Sequence, residues 1–256
     1  MPIAPLNLPL GKLAPKHDPR TLQFASYVVP GALPPSPPSV SWTTKVKKWG
    51  MLKNDTVGDC TCASAGHMVQ CWSANAGKEI DLPDSSILSA YSAVSGYDPN
   101  TGLNDNGAAE LDVLNYWRKS GIGGHKIAAY AALEPGNHTH VKDAVSLFGG
   151  CYVGLSLPVS AQTQTVWSVP PGGTTGRGAP GSWGGHAVPV LGYDLHGLIV
   201  VTWGKLMRMT WSFWDAYGDE AFAVLSSDWL SPNHKAPNGF DFLSLTQDLR
   251  AVTRAA

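Results

Sequence analysis

Charge is scarce in this chain. Only 14% of its 256 residues are Asp, Glu, Lys or Arg, and the net charge is −1. That balance excludes the strongly basic surface that nucleic acid or an anionic membrane selects. The single basic cluster, Lys45, Lys47 and Lys48, reads as a solvated face. Cysteine is sparse too. Cys60, Cys62, Cys71 and Cys151 are too few for a disulfide scaffold and read as reduced thiols. No apolar run approaches the roughly 20 residues that a membrane-spanning helix needs. The opening Met1-Pro2-Ile3-Ala4-Pro5 lacks the basic and then unbroken apolar stretches of a signal peptide. Together these absences predict a cytoplasmic protein without a nucleic-acid or membrane partner.

Proline and small residues are what the chain has instead. Prolines at 2, 5, 9, 15, 19, 30, 34, 35, 37 and 38 forbid helix and central strand over the first 40 residues. Leu22, Phe24, Tyr27, Val28 and Val29 in the same stretch favour an extended arm docked on a surface, with a disordered linker or a pro-segment as the other readings. Beyond it, a hydrophobic fraction of 43% is ample for a core of one large domain or two packed lobes.

The spacing predicts helices over 60–76, 84–95 and 108–119, with Asp84 or Ser85 capping the second and Gly121 ending the third. Strand signals follow: 127–130, a half-buried alternation at 152–157, and a hairpin of 187–193 and 198–203 around Asp194–Gly197. A short helix is expected over 141–147 and a Gly/Pro-rich loop over 169–185. Residues 207–217 read as helical, 221–225 as extended, and Phe242, Leu245, Leu249 and Val252 as one face of a docked helix. Helices first and strands second is an α+β order.

Two short stretches carry chemistry. Val57-Gly-Asp-Cys-Thr61 puts Cys60 at the start of a helix, whose N-terminus lowers a thiol pKa. Gly184-Gly-His-Ala-Val188 puts His186 at the start of a strand, where it can serve as general base. His67 lies roughly 10 Å along the helix from Cys60 at 1.5 Å per residue and reads as packing. Cys60, Cys62 and Cys71 with His67 lack a second close pair, so no metal is expected. Cys71 and Cys151 read as buried small hydrophobes, Asp59 as a helix cap, and Trp167 and Trp183 as cleft or core residues.

Cysteine at a helix start, a Gly-rich loop, Gly-Gly-His-Ala-Val, and then Val201-Thr-Trp-Gly204 resemble, in that order, the papain-like (C1) cysteine peptidases. The likeness is to the compact bacterial and phage branch, with its Gly-Ser-Cys-Thr-like stretch, and covers about residues 42–228. The Cys-Gly-Ser-Cys-Trp signature of the plant enzymes is absent. The resemblance implies Cys60 as nucleophile and His186 as base. The family's oxyanion carboxamide sits six positions before the nucleophile, which here is Asn54, one methylene shorter than the family's Gln; six before Cys62 is Thr56. The backbone N–H of Cys60 would be the second oxyanion donor.

The family's His-orienting Asn, two residues before the Trp, is missing: Val201 stands there and Thr202 follows. In a regularly paired hairpin His186 faces Lys205, with Val201 and Trp203 on its face and Thr202 pointing away unless a bulge intervenes. Trp203 would shield the imidazole from water.

The resemblance implies an α+β papain-like fold, a helical lobe (about 54–121) and an antiparallel β lobe (about 122–230) flanking a cleft. It places an extended arm at 1–41, the papain-like domain at 42–230 and a tail at 231–256. The implied function is thiol-dependent hydrolysis of a peptide or related amide bond, with no cofactor and a peptide or protein substrate. The alternative is a catalytically weak or inactive binding protein of that fold, such as a phage virion surface component, with the arm docking on a partner protein.

Overall fold

The computed structural model describes residues 7–27, 35–231, 233 and 235–239, to which the counts below refer. Small side chains set the first helix, α1 (Cys60–Ala76). Every residue from Cys60 to Ala74 is buried, so this is a core helix without a solvent face. A Cβ on Gly66 would stand 2.7 Å from Ile87 Cδ1 and 2.8 Å from Leu52 Cδ1, so the close helix contact there requires glycine. Helices α2 (Asp84–Ser95) and α3 (Glu110–Lys119) complete this lobe, and Trp72 stacks on Trp117 with 5.7 Å between ring centroids. The expected side-chain cap on α2 is not made: Pro83 holds the cap position and Asp84 is already in the first turn.

The rest of the chain builds a nine-stranded sheet with two further helices, α4 (His138–Phe148) and α5 (Trp211–Tyr217). Its strands are β1 (Leu22–Gln23), β2 (Val40–Ser41), β3 (Ile127–Ala132), β4 (Cys151–Leu157), β5 (Val166–Trp167), β6 (Gly184–Asp194), β7 (Gly197–Thr202), β8 (Lys205–Thr210) and β9 (Gly218–Ser226). The order is β1-β3-β9-β4-β6-β7-β8-β5, with β2 also on β6. Pairing is antiparallel except where the short strands β1 and β5 lie parallel to β3 and β8.

One core lies under α1–α3 and includes Tyr152 and Val201; the other holds α4, α5 and the opposite sheet face, including Val153 and Leu155. Strand β4 is therefore buried on both faces, not half-buried, because helices cover each side. Residues 207–210 belong to β8, and only Trp211–Tyr217 is helical: Thr210 caps that helix by accepting from the Phe213 N–H. The predicted helix bearing Phe242, Leu245, Leu249 and Val252 lies outside the described residues. Among the described residues no helix is long and apolar enough to cross a membrane.

Candidate active site

Two side-chain contacts place α1 against the sheet and a third ties it to α4. Ser64 donates to the Ala187 carbonyl of β6 at 2.8 Å, Tyr152 of β4 donates to the Thr61 carbonyl at 2.7 Å, and Trp72 donates to the Phe148 carbonyl at the end of α4 at 2.8 Å. The first two bring the start of α1 onto β4 and β6. Cys60, the first residue of the helix, is 1% exposed and its Sγ accepts from the Ala187 N–H at 3.4 Å. The thiol thus touches the residue that follows His186. The loop before it is held by Asp105, which accepts from the Gly58 N–H at 3.1 Å and from Tyr91 at 2.6 Å.

Burial pushes the Cys60 thiol from 9.0 up to about 12, aided by Asp59 and Glu110 and opposed by the Ala187 and Gly11 amides. Such a rise corresponds to about 4 kcal/mol. A helix N-terminus returns at most about 2 kcal/mol. The expectation of a lowered thiol pKa is therefore overturned in this state of the chain, because exclusion of water outweighs the dipole. Asp59 corrects a second expectation. It occupies the cap position, but makes no side-chain cap bond. Burial pushes its carboxyl up to about 8 against the pull of the Asn54 amide.

His186 is 1% exposed, and burial pushes its pKa down to about 3. Its Nε2 is 2.7 Å from Thr202 Oγ1, while Nδ1 is buried without a partner. That contact exists because the β6/β7 pairing is irregular. Asp194 faces Gly197 and Gly192 faces Ile199, but Val190 faces Val200: β6 carries one extra residue between them. A one-residue slip exchanges the two faces of every later position. Thr202 turns toward His186, and Val201 turns into the helical-lobe core. Trp203 reaches the imidazole by another route. It is at φ 45° beside Gly204 at φ 68°, the two positive-φ positions of a tight β7–β8 hairpin. A bulky residue in that region is strained, and here it stacks on His186 with 4.4 Å between centroids and 16° between planes.

Other candidate residues sit apart from this pair. Asn54 is buried and its amide donates to the Val57 carbonyl at 3.3 Å. His67 bonds the Gly50 carbonyl at 2.9 Å and burial lowers it to about 4, consistent with packing. Cys62, Cys71 and Cys151 are buried and unpaired with one another. Trp167 is a core residue stacked on Phe213, and Trp183 packs near Trp203. Among the described residues no group of three His, Cys, Asp or Glu could hold a metal ion.

The arm supplies what sequence reasoning missed. Residues 10–13 run through the cleft over Cys60. The Lys12 N–H donates to the Gly185 carbonyl at 3.1 Å, the Leu13 N–H to the Ala108 carbonyl at 3.1 Å, and the Ala108 N–H to the Gly11 carbonyl at 2.8 Å. Only glycine fits at position 11, where a Cβ would come 1.6 Å from the Gly58 carbonyl oxygen. The same holds opposite it: a Cβ on Gly107 would meet the Gly11 oxygen at 2.2 Å, and one on Gly185 the Lys12 oxygen at 2.1 Å. Glycines at 58, 107 and 185 were the available signal, since glycine marks close backbone approach.

No protein-family model matches the sequence, and no curated protein matches it. Solved structures do. Xylellain, a cysteine protease from Xylella fastidiosa, is similar with TM-score 0.63 and 15% identity, over 87% of this chain and 98% of that one. Digestive procathepsin L 3 of the Tenebrio molitor larval midgut gives TM-score 0.58 and 15% identity, over 86% and 76%. The cysteine protease and lectin-like domains of Cwp84 from Clostridium difficile give 0.59 and 13%, over 86% and 56%. With helical lobe, sheet and intervening cleft in the same arrangement, this chain has the papain-like α+β fold.

Proposed function

We propose that the chain is a latent thiol hydrolase acting on a peptide or related amide bond through Cys60 and His186. The observation that carries this reading is the Ala187 N–H to Cys60 Sγ contact beside a histidine whose Nε2 is held by Thr202 and whose Nδ1 is free. With Nε2–H donated to Thr202, Nδ1 keeps its lone pair and can take the thiol proton. The sulfur then attacks the carbonyl carbon. The resulting oxyanion is received by the Cys60 N–H and by Asn54, whose amide has to leave the Val57 carbonyl to reach it. Nδ1–H protonates the leaving amine, and water hydrolyses the thioester. Thr202 takes the place of the family's orienting residue, and Trp203 covers the ring. The protein is latent because the arm fills the cleft and keeps water from the thiol.

A second reading, a binding protein of this fold without turnover, draws on the same burial of Cys60. Iodoacetamide labelling and hydrolysis of a peptide mixture from pH 5 to 8 separate the two. In a Gly11→Ala chain, whose arm no longer fits the cleft, labelling at Cys60 and peptide hydrolysis should both appear, and His186→Ala should abolish both. Labelling at the rate of a free thiol, indifferent to His186 and without hydrolysis, would leave only the binding reading.

A further inference from the structure

One residue along the arm from the sulfur lies a group of charges that the chemistry above does not use. The Lys12 side chain is 1% exposed, and its Nζ is 3.0 Å from Asp219 and 3.0 Å from Glu220 Oε1. Glu110, the first residue of α3, is fully buried, and neither of its carboxyl oxygens has a hydrogen-bond partner. The floor is Gly154, where a Cβ would come 2.0 Å from Lys12 Cε. Burial alone would lower the Lys12 pKa, but Glu110, Glu220 and Asp219 outweigh it and keep the ammonium charged. A buried carboxyl without a donor is costly. Two carboxylates paired with one ammonium, with a third buried carboxyl beside them whose pKa burial raises well above its ordinary value, are more than an arm contact requires, and they form a low-dielectric site that favours a cation. A separate cavity of about 210 Å³ lies beyond Asp219 and Glu220, bordered also by Leu133, Phe222 and the arm residues Pro15 and His17, and neither Lys12 nor Glu110 lines it.

We propose that Glu110, Asp219 and Glu220 form the specificity pocket of the cleft and take a lysine or arginine side chain of the substrate, the place that Lys12 fills in the closed chain. This rests on the hydrolase reading. Lys12 is presented by main-chain bonds to Gly185 and by a bridge to Ala108 that any extended peptide can make. Such backbone pairing supplies affinity for every sequence, and the pocket beside it supplies selectivity. A leucine entering there would leave Asp219 and Glu220 without their cation, whereas a basic side chain pairs with both.

The test uses the full chain with Gly11→Ala and Lys12→Ala together, the first to displace the arm from Cys60 and the second to keep its lysine out of the pocket. Binding is measured by calorimetry with n-butylammonium, and with 1-butanol as the uncharged probe of the same length. The amine should bind saturably and the alcohol at least tenfold more weakly, and adding Glu220→Gln should weaken the amine at least tenfold. In the same variant, peptides with Lys or Arg at the pocket position should be cleaved with kcat/KM at least tenfold above Leu. Amine binding no stronger than alcohol binding overturns the pocket, whatever the hydrolysis. Selective amine binding without any peptide cleavage would instead leave the pocket standing and remove the hydrolase reading. Should that variant not fold, Gly11→Ala alone decides with the same two probes. Amine binding at least tenfold tighter than alcohol binding, and weakened at least tenfold by Glu220→Gln, is expected, and amine binding no tighter than alcohol binding overturns the proposal.

Discussion

Two of the arm's fastenings are built from opposite materials. Over the cleft, Gly11 and Lys12 are held by backbone hydrogen bonds and ion pairs, and the fit depends on the absence of a side chain at position 11. At the sheet edge, Leu22–Gln23 pairs with β3, and Phe24 is buried edge-on against His140 and Phe148 at 5.4 and 6.3 Å. The first fastening is polar and close to charge; the second is apolar. A polar clasp competes with water once it opens, and ion pairs contribute little net stability after desolvation. An apolar anchor gains its free energy from area removed from water and does not depend on charge state. The arm is therefore retained at its edge while its cleft segment is the part that can leave.

Substitutions that separate the two fastenings sharpen this contrast. The largest effect is expected for Gly11→Ala, because no rearrangement short of displacement removes a 1.6 Å overlap with backbone. Labelling of Cys60 by iodoacetamide at pH 7 should rise by about a hundredfold, matching about 2.7 kcal/mol of lost protection, with little change in melting temperature. Phe24→Ala should do the reverse. It should lower unfolding free energy by about 3 kcal/mol in urea titration, as large-to-small changes in a core do, while Cys60 stays shielded. Equal labelling in both variants would mean that the arm moves as one body, and the comparison would collapse.

A third, smaller difference is in pH. Burial raises Glu220 above its ordinary 4.5 despite the pull of Lys12, so the closed clasp holds that proton more tightly than an open, solvated carboxyl does. Its contribution to stability is present below the ordinary value and is lost as pH rises through the raised one. Hydrogen exchange of the Leu13 amide, corrected for intrinsic rate, should slow several-fold on going from pH 7 to pH 4, whereas amides of residues 22–24 should keep their protection unchanged. Loss of protection at both places together would point to general loosening by acid.

Much of the frame was legible because its elements are local. The buried small-residue helix at 60–76, the helices around 84–95 and 108–119, and the hairpin about Asp194–Gly197 follow from periodicity, glycine and turn chemistry. The helical reading of 207–217 misplaced the start because Met207 and Met209 are inward-facing strand residues, a pattern a short window cannot tell from a helix face. The orientation of Thr202 was conditional in the sequence for a sharper reason. A single extra residue in β6 decides its face, and no residue type announces that bulge. The occlusion of the cleft was further from view, since it joins residues 10–13 to 58, 108 and 185.

By itself, the order of residues determined which chain segments become helix or strand, and that a thiol at 60 and an imidazole at 186 each open one. Those are short-range matters of side-chain size, backbone freedom and capping. Only the folded whole decided the charge state of that thiol, the direction of Thr202 and the place of the arm. Each depends on how much water is excluded and on which distant backbone lies opposite, quantities that no local window contains.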